Sequence, residues 1–350
     1  MKIVFIGNFS GGGVDSACFN LVNRLADYHS ITLISTGFLK PSLYLREDIK
    51  FYHISNDSIL KMNHKCFKIL KQLSPDIVIA LEALTGIISI LPTIFLGKKY
   101  IVWEHANYYQ NQGRWYIQIV RAIELILANA YVVLTKRDLK TFQKKFLLKR
   151  RLRHIYNLFD KNNRVEYCSG SKLIISAGHL RPIKNFESIP EIASIALKNH
   201  PDWKWKIYGA GSEEYMDFLN KKIQDFGVVG QVEFCGRTDY LSDIMLKSAI
   251  YVLPSYFEGL PMVLLEAKSY GLPIISFDIE TGPDEIIKDN VNGYLISPFD
   301  LKEMSEKIKY LIENADVRKE FSNKSFIDLH LFSKEEVVKN WLELIEEVNE

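Results

Sequence analysis

Short apolar runs bounded by glycine or polar residues recur along the chain and alternate with stretches of helical period. The first is Lys2-Ile3-Val4-Phe5-Ile6-Gly7-Asn8. Ser10-Gly11-Gly12-Gly13 follows, and then Ala17, Leu21 and Leu25 fall at helical spacing. A strand, a glycine loop and a helix in that order predict the start of a doubly wound α/β domain. Further strands are predicted over 31–35, 77–80, 100–103 and 131–134. Their near-continuous apolar character is what a parallel sheet needs when helices cover both faces. After a polar stretch at 160–171 the pattern restarts, with strands predicted over 173–177, 205–208, 232–234, 250–253 and 273–277.

That restart predicts two α/β domains, residues 1–165 and 166–332, each large enough for its own core. Residues 333–350 form an amphipathic helix, with Val337, Trp341, Leu344 and Ile345 on one stripe, that could pack on either domain. The apolar stretch 77–97 has the length of a membrane span. It holds Glu82 and Pro92, and a strand followed by a buried helix accounts for both interruptions.

Lys2 leads straight into a short apolar run, so no signal peptide is expected. The four cysteines (Cys18, Cys66, Cys168, Cys235) are scattered without metal-ligand spacing and read as reduced thiols of a cytosolic protein. The formal net charge of +2 conceals an asymmetry. Residues 1–159 hold 22 Lys/Arg against 10 Asp/Glu, a net +12, and residues 160–350 hold 22 against 32, a net −10. The first half should therefore be attracted to something anionic. Nine of its cations fall within 134–154, where Asp138 is the one acid and Phe142, Phe146, Leu147, Leu148 and Leu152 are interleaved. Basic and apolar residues so mixed read as a face for an anionic membrane surface. The alternative is a solvated basic helix whose apolar residues are core. No aromatic platform or recognition motif points to nucleic acid.

The most informative stretch is Ser255-Tyr256-Phe257-Glu258-Gly259-Leu260-Pro261-Met262-Val263-Leu264-Leu265-Glu266-Ala267. It follows a predicted strand, at the carboxyl edge where open α/β sheets bind ligands. Pro261 suits a first helical turn. The N–H groups of Met262 and Val263 then lie at a positive helix end, ready for phosphate or sugar oxygens. Glu258 in the loop and Glu266 more than a turn into the helix can bond hydroxyls on two parts of one extended ligand. A solvated glutamate pair flanking a helix start is the plainer reading, which the Glu-Gly-Leu-Pro context disfavours.

Glu258 to Glu266 resembles the E-x7-E signature of the retaining glycosyltransferases of family 4, whose GT-B fold has two facing Rossmann-like domains. The likeness covers essentially the whole chain. Ala177-Gly178-His179-Leu180-Arg181-Pro182-Ile183-Lys184-Asn185 resembles the family's G-R-L-x3-K-[GN] element, and Ile207-Tyr208-Gly209-Ala210-Gly211 its glycine pair near the nucleoside. Thr281-Gly282-Pro283 through Asn292-Gly293-Tyr294-Leu295 resembles its closing run. The resemblance implies that Glu258 contacts the donor sugar, Glu266 the ribose hydroxyls, and Lys184 the diphosphate. His179 stands where the family usually has an arginine, so His179 itself or Arg181 would supply the second cation. Gly209, Gly211, Arg237, Leu260, Met262 and Val263 complete the implied donor contacts. Gly12 and Gly13 correspond to a loop facing the diphosphate and acceptor, with a plain tight turn as the alternative. His105, in Trp103-Glu104-His105-Ala106-Asn107, resembles the strand-end histidine on the donor sugar, and Asn157 the interdomain asparagine, for which a loop cap is the alternative.

The implied activity is retaining transfer of a hexose or N-acetylhexosamine from a nucleotide-sugar, UDP-linked first among donors, to a lipid-linked glycan in surface polysaccharide synthesis such as lipopolysaccharide or capsule. No D-x-D motif stands at a strand end, so neither metal nor cofactor is expected. The implied partners are the nucleotide-sugar, the glycan or lipid-linked acceptor and an anionic membrane surface, without nucleic acid. The implied location is the cytoplasm, peripheral on the inner face of the cell membrane. Two alternatives stand: a nucleotide-sugar 2-epimerase of the same fold, and a non-catalytic glycosyltransferase partner subunit.

Overall fold

Each half of the chain alternates strands with helices, and each closes into its own parallel sheet. The computed structural model describes residues 1–9, 12–37, 44–54, 57–110, 115–146, 151–159 and 167–350. The chain divides into two units: Met1–Phe159 together with Leu331–Glu350, and Asp160–His330. The first runs β1 (Lys2–Gly7), α1 (Gly13–Leu25), β2 (Ser30–Ser35), β3 (Lys50–His53), α2 (Ile59–Leu73), β4 (Ile77–Leu81), α3 (Glu82–Phe95), β5 (Lys99–Trp103), α4 (Ile117–Leu127), β6 (Ala130–Val133), α5 (Lys136–Lys145) and β7 (Leu152–His154). Its sheet order is β3-β2-β1-β4-β5-β6-β7. Every pairing is parallel, with Ile3 opposite Ile31 and Ile77, for example. The inner strands are buried on both faces, which explains their unbroken apolar runs.

The second unit runs β8 (Leu173–Ala177), α6 (Ile189–Ala196), β9 (Lys204–Tyr208), α7 (Glu213–Asp225), β10 (Val232–Phe234), α8 (Leu241–Leu246), β11 (Ile250–Leu253), α9 (Met262–Ser269), β12 (Ile274–Phe277), α10 (Pro283–Ile286), β13 (Gly293–Ile296), α11 (Leu301–Glu313) and α12 (Ala315–Lys324). Its sheet, β10-β9-β8-β11-β12-β13, is again parallel throughout. Both sheets have the doubly wound Rossmann-like order, and the fold class is GT-B α/β, as the sequence implied. Strand ends therefore converge on one carboxyl edge in each unit, where crossover loops build ligand sites.

After the second unit the chain returns to the first as α13 (Lys334–Asn349). Ser333 caps it by accepting from the Glu336 amide. Its apolar stripe is buried, and the fully buried Trp341 meets Trp103 of β5 edge-on at 5.0 Å between ring centroids.

The basic segment 134–154 includes α5 and β7. Phe142 and Leu152 are buried members of the first unit's core, so they cannot form the apolar side of a membrane face. Leu147, Leu148, Lys149 and Arg150 lie outside the described residues. Among the described residues, no helix is long and apolar enough to cross a membrane.

Trp341→Ala should destabilise the first unit by about 3–5 kcal/mol, because it opens a cavity against Trp103 and frees α13. Urea unfolding followed by tryptophan fluorescence measures this; a loss below about 1 kcal/mol would show that α13 is not part of that core.

Candidate functional site

The loops after β8, β11 and β12 meet at one carboxylate. Glu258 is 8% exposed, and Lys184, ending a short turn at Pro182–Lys184, donates to both its oxygens at 2.7 and 2.9 Å. The Ser255 hydroxyl donates to Glu258 Oε1 at 2.6 Å, and the Thr281 hydroxyl to the Glu258 carbonyl at 2.7 Å. The Tyr256 amide bonds the Ile183 carbonyl at 2.9 Å and holds the first two loops together. Gly282 lets the third loop close in. Its φ is +105°, and a Cβ there would fall 2.6 Å from Pro261 Cδ and 2.7 Å from the Gly259 carbonyl oxygen.

Pro261 stands at the N-cap of α9, one residue before the helix, with Met262 as its first residue. The amides of Met262 and Val263 belong to the first turn, whose N–H groups have no partner inside the helix. Both residues are half-buried, Leu260 is buried, and Glu266 lies half-buried one turn further on. Burial first, and then the charges of Glu258 and Glu266, push the Tyr251 phenol well up, so both carboxylates lie within electrostatic reach of one β11 side chain.

Beside this pair, β8, β9 and β10 end almost in contact. The Gly178 amide bonds the Tyr208 carbonyl and the Gly209 amide the Gly236 carbonyl, each at 2.9 Å. A Cβ on Gly209 would lie 1.8 Å from the Gly178 carbonyl oxygen, and one on Gly211 would lie 2.7 Å from Leu180 Cβ, so larger residues would force the strand ends apart. His179, Arg181 and Gly211 line an open groove of about 720 Å³ with Tyr215 and Phe218. Burial, then the cations Arg181, Lys184 and Arg237, lower the His179 imidazole below its usual value. The four side chains thus share one positive field. Arg237 itself is mostly exposed, 3.7 Å from Asp239.

In the first unit, Gly12 caps α1 and Gly13 opens it; a Cβ on either would meet nothing within 4 Å. The protein's own packing therefore does not demand glycine there, while the open space admits a ligand close to the backbone. His105 follows β5. Its ring lies 4.4 Å from Trp103, burial alone pushes its pKa down to about 3, and its Nε2 has no partner among the described residues. Next to it, buried Glu104 accepts from Arg121 Nε at 3.0 Å and from the Tyr131 hydroxyl at 3.1 Å. Glu82, the residue directly after β4, has a left-handed backbone (φ +63°), unusual for a non-glycine residue. Burial first, then Glu104, pushes its carboxyl up to about 7.

Residues 160–326 match the family model described as glycosyl transferases group 1. Over nearly its whole length the chain is similar to an uncharacterized glycosyltransferase of Haemophilus influenzae, 28% identical over 349 residues that cover 96% of this chain and 97% of that protein. It is 26% identical, over 99% of both chains, to a Campylobacter jejuni N-acetylgalactosaminyltransferase named for a diphosphate-undecaprenol-linked glycan. Among solved structures, Anabaena HepE in complex with UDP and glucose superposes with a TM-score of 0.87 at 16% identity, covering 99% of this chain and all of that one.

The second unit gathers His179, Arg181, Lys184, Gly209, Gly211, Arg237, Glu258, Leu260, Met262, Val263 and Glu266 at the carboxyl edge of its sheet. Gly12, Gly13 and His105 occupy the corresponding edge of the first unit. Sequence reasoning missed Glu104 as a buried partner of Arg121, although it adjoins His105, and missed Ser255 and Thr281 as the hydroxyls that hold Glu258. For Glu104 the available signal was a polar residue directly after an apolar strand; Ser255 and Thr281 lie two and four residues past β11 and β12 and carried no such signal.

Because His105 is neutral when folded and titrates near 6.5 when unfolded, the unfolded state binds the extra proton between about pH 6.5 and 3. Stability present above pH 6.5 is therefore lost as pH falls, by up to about 1.4 kcal/mol per pH unit. Between pH 7.5 and 5.0, His105→Leu should lose about 1–2 kcal/mol less unfolding free energy than the wild type. Equal losses in urea titrations would mean that His105 is not held neutral.

Proposed function

We propose that the chain is a retaining glycosyltransferase that moves a hexose or N-acetylhexosamine from a UDP-sugar to a lipid-linked glycan in bacterial surface polysaccharide synthesis. The observation that carries this reading is the Lys184–Glu258 pair, held by Ser255 beside His179 and the Arg181 and Arg237 charges. Its placement suits a leaving group that carries several negative charges next to a sugar rich in hydroxyls. The Campylobacter relative's name supports a polyisoprenyl-linked acceptor, and the UDP bound to HepE supports the nucleotide.

In this reading Lys184, with Arg181 or a protonated His179, neutralises the diphosphate as the glycosidic C–O bond breaks. The α9 amides of Met262 and Val263 add a positive helix end. Glu258 accepts from sugar hydroxyls and Glu266 from the ribose. The β-phosphate oxygen that leaves takes the proton of the acceptor hydroxyl as that oxygen attacks the same face of C1, which retains configuration. Charge stabilisation of the diphosphate supplies most of the rate. These cations do the work that a divalent ion does elsewhere, so the transfer is metal-independent.

Lys184→Ala should lower kcat by about 10²–10³-fold, the usual loss when one group stabilising transition-state charge is removed. It should also cost about 1–3 kcal/mol of stability, because Glu258 stays buried without its cation. Glu258→Gln should lower turnover comparably while keeping the Ser255 contact, and wild-type activity should persist in excess chelator. Turnover of UDP-sugars by either variant at the wild-type rate would refute the site. Loss of activity in chelator, restored by a divalent ion, would refute metal independence. A 2-epimerised nucleotide-sugar as the product would show the epimerase instead.

A further inference from the structure

We propose that the outward face of α4, with the adjoining end of α3, docks the first unit on a bilayer containing anionic lipid. This deepens the reading of a lipid-linked acceptor and rests on it. The helix Ile117–Leu127 reverses the usual arrangement, in which apolar residues face the core and charges face water. Its two charged residues point inward. Arg121 is 1% exposed, donates to Glu104 at 3.0 Å and also bonds the Tyr108 carbonyl at 2.7 Å. Glu124 is buried over Gly86, so close that a Cβ there would meet its carboxylate. The outward positions are Ile119, Ile123 and Ile126, the last 57% exposed.

α3 packs beside α4 and exposes Leu91 and Phe95 as well, the latter 79% exposed. Neither helix carries a fully exposed charge. Charges held inside keep the isoleucines outside, so this surface is built rather than left over. An exposed apolar patch of this kind marks an interaction site.

Charge chooses the occupant. Arg151 bonds the Ala128 carbonyl at 2.7 Å, just past the end of α4, and Lys98 and Lys99 follow α3 directly. They belong to the half of the chain whose net charge is +12. A second copy seated face to face would bring two such surfaces together, whereas anionic headgroups around an apolar layer compensate them. Trp115, 78% exposed just before α4, is the side chain that favours the boundary between headgroups and acyl chains.

The test compares the full chain with Ile123→Gln/Ile126→Gln by co-sedimentation with vesicles of phosphatidylcholine alone and of phosphatidylcholine with phosphatidylglycerol. The wild type should pellet with the anionic vesicles only, and the variant should lose about tenfold or more of its partitioning. Both should keep the same melting temperature and the same rise on adding UDP, a readout that follows the donor site and not the membrane. The proposal fails if the wild type stays in the supernatant, or if the variant pellets as the wild type does. It fails equally if sedimentation velocity shows a dimer that the two substitutions disperse. A missing UDP response with intact vesicle binding would instead count against the donor reading.

Discussion

The arrangement of the second unit turns on a carboxylate that has been taken out of water. A buried anion must be paired and fully hydrogen-bonded or its desolvation outweighs what it gains. Glu258 meets that requirement with Lys184 and Ser255, and its backbone carbonyl with Thr281. These partners come from loops after β8, β11 and β12, strands that are neighbours in the sheet order. The side chain and backbone of this one residue therefore tie three loops together, and with them the start of α9. The glycine at 282 belongs to the same constraint, because only a residue without a side chain lets the third loop reach the Glu258 backbone.

Most of the architecture was legible because parallel sheets bury both faces. Every interior strand reads as an apolar run, and the predicted spans match the observed ones to within a residue or two. The strands that escaped notice, β3, β7 and β13, are all edges of their sheets. An edge strand pairs on one side only and needs no unbroken apolar run. Lys50-Phe51-Tyr52-His53 and Leu152-Arg153-His154 look like loop or basic segment until the neighbouring strand is present to pair with them. The same ambiguity makes 134–154 look like one amphipathic unit, whereas its described residues include both a helix and a strand.

At the site, residue types and spacing pointed to Glu258 and Glu266 and the family resemblance to Lys184, but nothing in the sequence pointed to the bond between Lys184 and Glu258, which are 74 positions apart. Periodicity hid α4 for a different reason. Helical spacing of apolar residues shows that a helix has two unlike faces, and the usual assumption turns the apolar one inward. Arg121 defeats that assumption because Glu104, Asn107 and Tyr108 offer it acceptors inside. Only tertiary structure supplies those acceptors.

The return of α13 also orders events during synthesis. The helix whose Trp341 completes the first unit is translated after all of β8 to α12, so the amino-terminal sheet waits with one flank uncovered while the second unit emerges and closes. Domains usually mature in the order in which they leave the ribosome. Here the later one is the first that can be finished, and the earlier one depends on a helix translated after it.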